Sequence, residues 1–412
     1  MKRRVVITGM GAVSPIGNTA DAMWESVRGG ICGIAPITLF DTSNHKAKLA
    51  GEVKELDFTA HLDKSAIRKL DRFVLLAMVA AKEAWADCGL TLDVETAKRV
   101  GTIVSSGIGG LSTIEAEQRK GLEKGFTRIS PYFIPMSIVN MAAGNIAIML
   151  GLKNYAASVV TACAGGTNAI GDSFRLIRDG YADAMVCGGA EACITPLGMG
   201  GFTSMKALNE TEDVSRASIP FDKERAGFIM GEGAGILVLE EYEHALNRGA
   251  KIYAEVVGYG ANCDAHHITA PSPNGEGGAD CMTAALLDAG LTPDKIDYIN
   301  AHGTSTSMND RCETAAIKTA FGDHAKKLRI SSTKSMTGHL LGAAGAIEAI
   351  ITARALQDGF VPATINYRVP DEDCDLDITS NIGVDADLHF AMSNSLGFGG
   401  HNASIILKKW EA

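Results

Sequence analysis

The chain has 412 residues, 48 of them acidic and 38 basic, with a formal charge of -10 and 46% apolar side chains. That balance excludes disordered and fibrous classes, and it excludes a general nucleic-acid binder, which needs a basic footprint to release phosphate counterions. An acidic partner would have to be met by a local basic patch.

Forty-six glycines, spread through the sequence, exceed the usual share of about 7% and imply many tight turns and close backbone approaches. The nine cysteines are odd in number and form no C-x-x-C pair, which argues against a disulfide framework or structural zinc and for a reducing cytoplasm. Met1 to Arg4 is basic, but the following apolar run, Val5 to Ile7, is too short for a signal peptide, so no export is expected. The uncharged run from Ile129 to Leu152 carries Pro131, Pro135, Asn140 and Asn145, each costly in hydrocarbon. It reads as a buried segment at a subunit interface, with no membrane insertion.

In chain order, Val5 to Gly11 reads as a strand entering a glycine turn, and residues 64–72 follow a helical pattern. Gly101 to Val104 is a strand before a Ser/Gly loop. Ser158 to Ala162 is a β-branched strand leading through Cys163 and two glycines into a helix that Gly180 stops after Arg178. Gly227 to Gly231 precedes a strand from Gly235 to Leu239. Glu255 to Gly260 and Ile296 to Asn300 repeat the strand-then-turn pattern, and Arg329 to Ser332 leads through a glycine-rich loop into a helix from Ala343 to Gln357, stopped by Gly359. Gly397 to Gly400 then precedes a strand from Ser404 to Leu407. Each early strand has a later counterpart in the same order, which implies a duplicated α/β chain, residues 1–250 and 251–412, whose halves pack as one body.

Cys163 sits between a strand and a helix, so its thiol projects from a tight turn toward the positive helix end, a placement that favours thiolate. The alternative is an inert small hydrophobe. His302, in Ala-His-Gly-Thr-Ser-Thr, lies just beyond a strand, where ligands of α/β proteins gather. Thr304 and Thr306 alternate, so their hydroxyls either face one groove or make simple Ser/Thr turns. His339 follows Lys334 in an uncharged, small-residue stretch, and Glu348, nine residues after the histidine, is the nearest carboxylate for that lysine. One cysteine and two histidines in three post-strand loops fit acyl transfer. Phe398 either adds a backbone N–H to an oxyanion hole or is a core side chain. Gly9-x-Gly11 lacks the third glycine of a dinucleotide loop, no Walker-type Gly-Lys-Ser/Thr occurs, and Asp264 with His266 and His267 lacks a second ligand cluster, so no nucleotide or metal is expected.

Thr-Ala-Cys163-Ala-Gly-Gly, Ala-His302-Gly-Thr-Ser-Thr and Lys334-Ser-Met-Thr-Gly-His339, in that order, resemble the elongating β-ketoacyl-(acyl-carrier-protein) synthases, most closely the type called synthase II. The resemblance runs from Val5 to Lys408. It implies the thiolase fold, two similar halves in a layered α-β-α-β-α arrangement, and a homodimer. It implies that Cys163 takes an acyl chain from acyl-carrier protein, that His302 and His339 stabilise the enolate of decarboxylated malonyl-carrier protein, and that this carbanion attacks the acyl-Cys. In the same way the N–H groups of Cys163 and Phe398 stand as oxyanion hole, Lys334 and Glu348 as supporting ion pair, and Thr304, Thr306, His267 and Thr269 as contacts along the pantetheine tunnel. Ile108, Phe202 and, across the dimer interface, Phe133 match acyl-pocket positions, while Leu396 stands where many members have Phe. No cofactor is bound, since 4'-phosphopantetheine arrives on the carrier protein. Lys64, Arg68 and Arg72 fall at i, i+4 and i+8 as one basic stripe with Lys69 beside it, and the positions of Lys64, Arg68, Lys69 and Lys206 match the family's carrier-docking surface. A polyketide ketosynthase would use the same residues, and a non-catalytic partner subunit would not need the intact Cys and both His.

Overall fold

The computed structural model describes residues 2–411. Ten strands form one continuous sheet: β1 (Val5–Val13), β2 (Val100–Ser105), β3 (Ala156–Ala157), β4 (Ala184–Glu191), β5 (Gly233–Glu241), β6 (Ala254–Cys263), β7 (Tyr298–Asn300), β8 (Arg329–Ser331), β9 (Phe390–Gly397) and β10 (His401–Lys409). Their order, β8-β7-β9-β10-β6-β1-β5-β4-β2-β3, divides at the β6–β1 seam into two runs with the same internal arrangement. In the first run β1 pairs antiparallel with β5 and β5 with β4, while β2 lies parallel to β4 and β3. β6, β10, β9, β7 and β8 repeat those senses one for one. The seam is short and antiparallel, Val5 opposite Val256 and Ile7 opposite Ala254. The duplication read from four strand pairs is thus a fivefold correspondence.

The fifth pair, β4 and β9, escapes sequence reading because Ala-Met-Val-Cys-Gly-Gly-Ala-Glu and Phe-Ala-Met-Ser-Asn-Ser-Leu-Gly are rich in small and polar residues and poor in β-branched ones. A second difference lies before Cys163. The strand is Ala156–Ala157, and the chain beyond it leaves the ladder as the Ser158 hydroxyl takes the Val104 carbonyl.

Strands buried on both faces read as continuous apolar runs, and β1 and β2 are buried at every residue. Helix α1 (Arg72–Cys88) covers β1, β5 and β4 from outside, while α3 (Glu276–Ala289), with α4 (Ser307–Phe321) against it, covers β6 and β10. Helices α2 (Gly165–Arg178) and α5 (Ala344–Asp358) lie between the two sheet halves and touch both. Five layers result, helix-sheet-helix-sheet-helix. The central pair approach closely enough that a Cβ on Gly166 would sit 2.8 Å from the Ala346 nitrogen, and one on Gly345 2.1 Å from the Thr167 hydroxyl. A large apolar cluster, including Ile170, Ile177, Ile347 and Ile350, fills this middle layer.

The run from Ile129 to Leu152 breaks into helices Phe133–Ser137 and Met141–Leu150. No helix among the described residues is long and apolar enough to cross a membrane.

Candidate active site

Cys163 is the middle residue of a single turn, Ala162–Ala164, from which α2 departs. Ala162 holds φ +48, a left-handed conformation that costs an L-residue on the order of 1–2 kcal/mol and persists only where the surroundings enforce it. Gly165 enforces part of it, since a Cβ there would lie 2.0 Å from the Ser105 hydroxyl. The backbone N–H groups of Phe398 and of Cys163 itself both face the sulfur. Burial nevertheless dominates and pushes the thiol up to about 12, against the pull of the Lys334 cation. Desolvation thus opposes the thiolate that the helix end favours.

His302 follows β7, and its N–H and that of Gly303 each donate at 2.8 Å to the carboxylate of Glu313 on α4. His339 follows Gly338, at φ +70, and its N–H donates to the Ile229 carbonyl at 2.7 Å. These anchors bring the two rings edge to face, centroids 5.2 Å apart, both 2% exposed. Burial first, then the Lys334 cation, holds both imidazoles well below their ordinary range, and His339 lowers His302 further. Both rings are neutral at physiological pH. Nδ1 of each is buried without a hydrogen-bond partner among the described residues, so no side chain fixes which nitrogen carries the proton. Lys334 pairs with Glu348 on α5, both almost fully buried. Burial drives the Glu348 carboxyl up to about 7 against the nearby ammonium.

One cavity of about 490 Å³ collects Cys163, His302, His339 and Phe398. Thr304 and Thr306 line the same space, their hydroxyls 2.9 Å apart, so the one-groove alternative is the one realised. Thr269, Phe202, Leu396 and, at the exposed mouth, Lys206 complete the predicted residues on its wall. Ile108 packs in the apolar cluster that contains Cys163, Leu341 and Phe202. Phe133 lies half-buried on its own short helix and is not among the cavity residues. His267 is exposed and outside the wall: its Nδ1 accepts the N–H groups of Thr269 and Ala270, each at 3.1 Å, so it braces the loop that carries Thr269.

The sequence model described as the β-ketoacyl synthase N-terminal domain matches residues 2–245, and that of the C-terminal domain matches residues 253–368. The chain belongs to the β-ketoacyl synthases. It is 52% identical over 410 residues to 3-oxoacyl-(acyl-carrier-protein) synthase 2 of Staphylococcus aureus (strain COL), covering 100% of this chain and 99% of that one. A protein of the same name from Synechocystis sp. is 51% identical over 411 residues, with the same coverage. Among solved structures, the ishigamide ketosynthase/chain length factor superposes with TM-score 0.92 at 39% identity, covering 100% of each chain. A type II polyketide ketosynthase in complex with its acyl-carrier protein superposes with TM-score 0.91 at 34% identity, also over 100% of each chain.

In this synthase the expected basic stripe is interrupted. A helix spans only Lys64–Ile67, Arg68 caps it, and α1 starts afresh at Arg72 with Asp71 as its N-cap. Arg72 turns inward, donating at 2.7 and 2.6 Å to the buried Glu232, and leaves the stripe. Lys64, Arg68 and Lys69 stay exposed with no carboxylate partner among the described residues, and Lys69 lies over the Tyr132 ring. Sequence reading missed two groups that shape the site. Phe228 stands edge-on to His339 at 5.2 Å and to Phe202 at 5.5 Å. Its signal was the Gly-Phe repeat shared with Gly397-Phe398, for both phenylalanines line the cavity. Glu313 lay unread one turn after Asp310, two buried carboxylates on the inner face of α4.

Proposed function

We propose that Cys163 carries the acyl chain and that His302 and His339 are the enolate-stabilising pair of a condensing enzyme of type II fatty-acid synthesis. The observation that carries this reading is the convergence of one thiol and two neutral imidazoles, from three separate loops, on a single cavity. In the first half-reaction the sulfur attacks the thioester carbonyl of acyl-carrier protein. The new C–S bond forms as the carrier thiol leaves, and the thiol proton of Cys163 goes to it by way of an imidazole. The N–H groups of Cys163 and Phe398, which face the sulfur, are the donors this reading assigns to the developing oxyanion. In the second, malonyl-carrier protein loses CO2, and the electron pair left on C2 is held as an enolate whose oxygen accepts hydrogen bonds from the neutral rings. Protonated rings 5.2 Å apart would repel one another. The carbanion attacks the acyl-Cys, the C–S bond breaks, and the sulfur takes up a proton. The product is a 3-oxoacyl-carrier protein two carbons longer. Decarboxylation supplies the driving force, so the cofactor chemistry is confined to the 4'-phosphopantetheine arm that the carrier brings, with Thr304, Thr306 and Thr269 along its path. The curated relatives at 51–52% identity favour the fatty-acid role over a polyketide one, whose structural neighbours stand at 34–39%.

Intact-mass analysis after incubation with acyl-carrier proteins of graded length shows one acyl group on Cys163, discharged on adding malonyl-carrier protein with formation of the extended product. A chain that never gains mass defeats the reading. In the same assay Lys64→Glu with Arg68→Glu raises KM for carrier-bound acyl substrate at least about tenfold and leaves loading by a small thioester unchanged. Equal loss with both donors removes the carrier from this surface.

We also infer a homodimer working in the cytoplasm. β3 is an edge strand with one side unpaired; Tyr155, just before it, is 55% exposed and Ile148, on the helix Met141–Leu150 packed against it, is 79% exposed, apolar side chains of the kind that mark an interface. Pairing across that edge would carry Phe133 toward the partner subunit's chamber. Sedimentation equilibrium returning one chain's mass at micromolar concentration would refute it.

A further inference from the structure

The turn at Cys163 has a twin. Leu341, at φ +47, opens the single turn Leu341–Ala343 as Ala162, at φ +48, opens the turn at Cys163, and α5 follows the one as α2 follows the other. Gly342 therefore holds the place of the nucleophile. Where the N–H of Cys163 faces its own sulfur, that of Gly342 donates at 3.0 Å to the carboxylate of Glu191, which ends β4.

Glu191 is fully buried and has no cationic partner among the described residues. Five donors surround it instead: the N–H groups of Gly107 at 2.7 Å, Ile108 at 3.3 Å and Gly342 at 3.0 Å, the Ser106 hydroxyl at 2.8 Å and the Cys193 thiol at 3.3 Å. Two glycines make room for it. A Cβ on Gly107 would lie 2.8 Å from its Oε2, and one on Gly342 would lie 2.9 Å from the same oxygen and 2.4 Å from the Gly107 nitrogen. This is a nest of backbone N–H groups filled by the protein's own carboxyl group, whose burial raises its proton affinity against the donors that lower it. The two segments it joins carry Ile108 and Leu341, which share an apolar cluster with Cys163 and Phe202.

We propose that Glu191 is a specificity-determining positioning residue: by clamping the Gly107–Ile108 backbone to the turn at Gly342, it fixes the separation of Ile108 and Leu341 and so the length of acyl chain the chamber beside Cys163 accepts. This rests on the reading of Cys163 as acyl carrier and of Ile108 as chamber wall. Glutamine keeps the shape but offers one acceptor oxygen in place of two and turns an NH2 against the surrounding donors, so the clamp opens; losing the carboxylate also removes one of the causes that raise the Cys163 thiol.

The test compares kcat/KM for a series from hexanoyl- to octadecanoyl-carrier protein in wild type, Glu191→Gln and Gly107→Ala. Glu191→Gln flattens the length profile, the ratio of best to worst substrate falling about tenfold. Alkylation of Cys163 by iodoacetamide, which requires an intact site and no acyl chamber, is not slowed, since losing the Glu191 carboxylate removes one cause that raises the thiol. Gly107→Ala, which pushes on the carboxylate without removing it, flattens the profile in the same sense by a smaller factor. A uniform loss at every length, or an unchanged profile in a folded variant, overturns the proposal, and if Glu191→Gln does not fold, the profile of Gly107→Ala decides alone. Failure of the wild type to accept any acyl group overturns the functional reading itself, an outcome distinct from variants that load but keep the wild-type profile.

Discussion

His339→Ala and His302→Ala each lower malonyl decarboxylation, and with it condensation, by about 10²–10³-fold, the usual cost of one lost donor to a developing oxyanion. Loading of Cys163 by an acyl thioester falls within about tenfold in the variant that keeps the imidazole relaying the thiol proton and by about 10²–10⁴-fold in the one that loses it, the backbone N–H groups facing the sulfur remaining in both. The two half-reactions are separated by intact-mass analysis for loading and CO2 release for decarboxylation. Their pH dependence follows from the same geometry. An ordinary histidine titrates near 6.5, but burial and the Lys334 cation hold both rings below that value. The neutral, active form persists as pH falls through 6.5, so wild-type decarboxylation stays level there and declines only at lower pH. A midpoint at or above 6.5 would mean that the rings are neither desolvated nor beside a cation, and the assignment would fall.

Glu348→Ala is the most destabilising single change expected. It leaves the Lys334 ammonium buried without its carboxylate, a situation that costs about 3–5 kcal/mol. Replacing both partners, Lys334→Met with Glu348→Leu, restores most of that loss, since two apolar side chains of similar volume need no desolvation of charge. Decarboxylation behaves differently. Removing the cation takes away one cause of the low imidazole range, so in the double variant the acid limb of the decarboxylation profile moves to higher pH. Urea melts of wild type, single and double variants test the first statement, and CO2 release against pH tests the second. A double variant as unstable as Glu348→Ala, or one with the wild-type pH profile, would show that the pair does neither job.

Much of this molecule is legible from short motifs. The cysteine, the two histidines and the Lys334–Glu348 pair stand out because unusual residue types occur just after strands, and the structure brings them to one place. The duplicated topology is legible because four of five strand pairs are β-branched or glycine-bounded. What escaped has a physical reason in each instance. β4 and β9 are buried by both neighbouring strands and so need neither alternation nor β-branching. The helix end behind Cys163 is visible in sequence, whereas the burial that opposes its effect on the thiol is not. Arg72 continued a helical spacing that Asp71, a cap, actually interrupts. Glu191 and Glu313 look like surface acids until their donors, all backbone or small side chains, are seen in space.

The position of β1 has a consequence for how the chain is made. It is the first strand of the sheet in chain order, yet it lies in the middle of the sheet, its edges claimed by β5 and β6. Its earlier neighbour is complete only at Glu241, more than two hundred residues later, on the order of ten to fifty seconds at roughly 5–20 residues per second. Throughout that interval a greasy ribbon of nine residues has nothing to zip against. The element that can shelter it first is α1, complete at Cys88, whose apolar face packs on it well before its strand partners arrive.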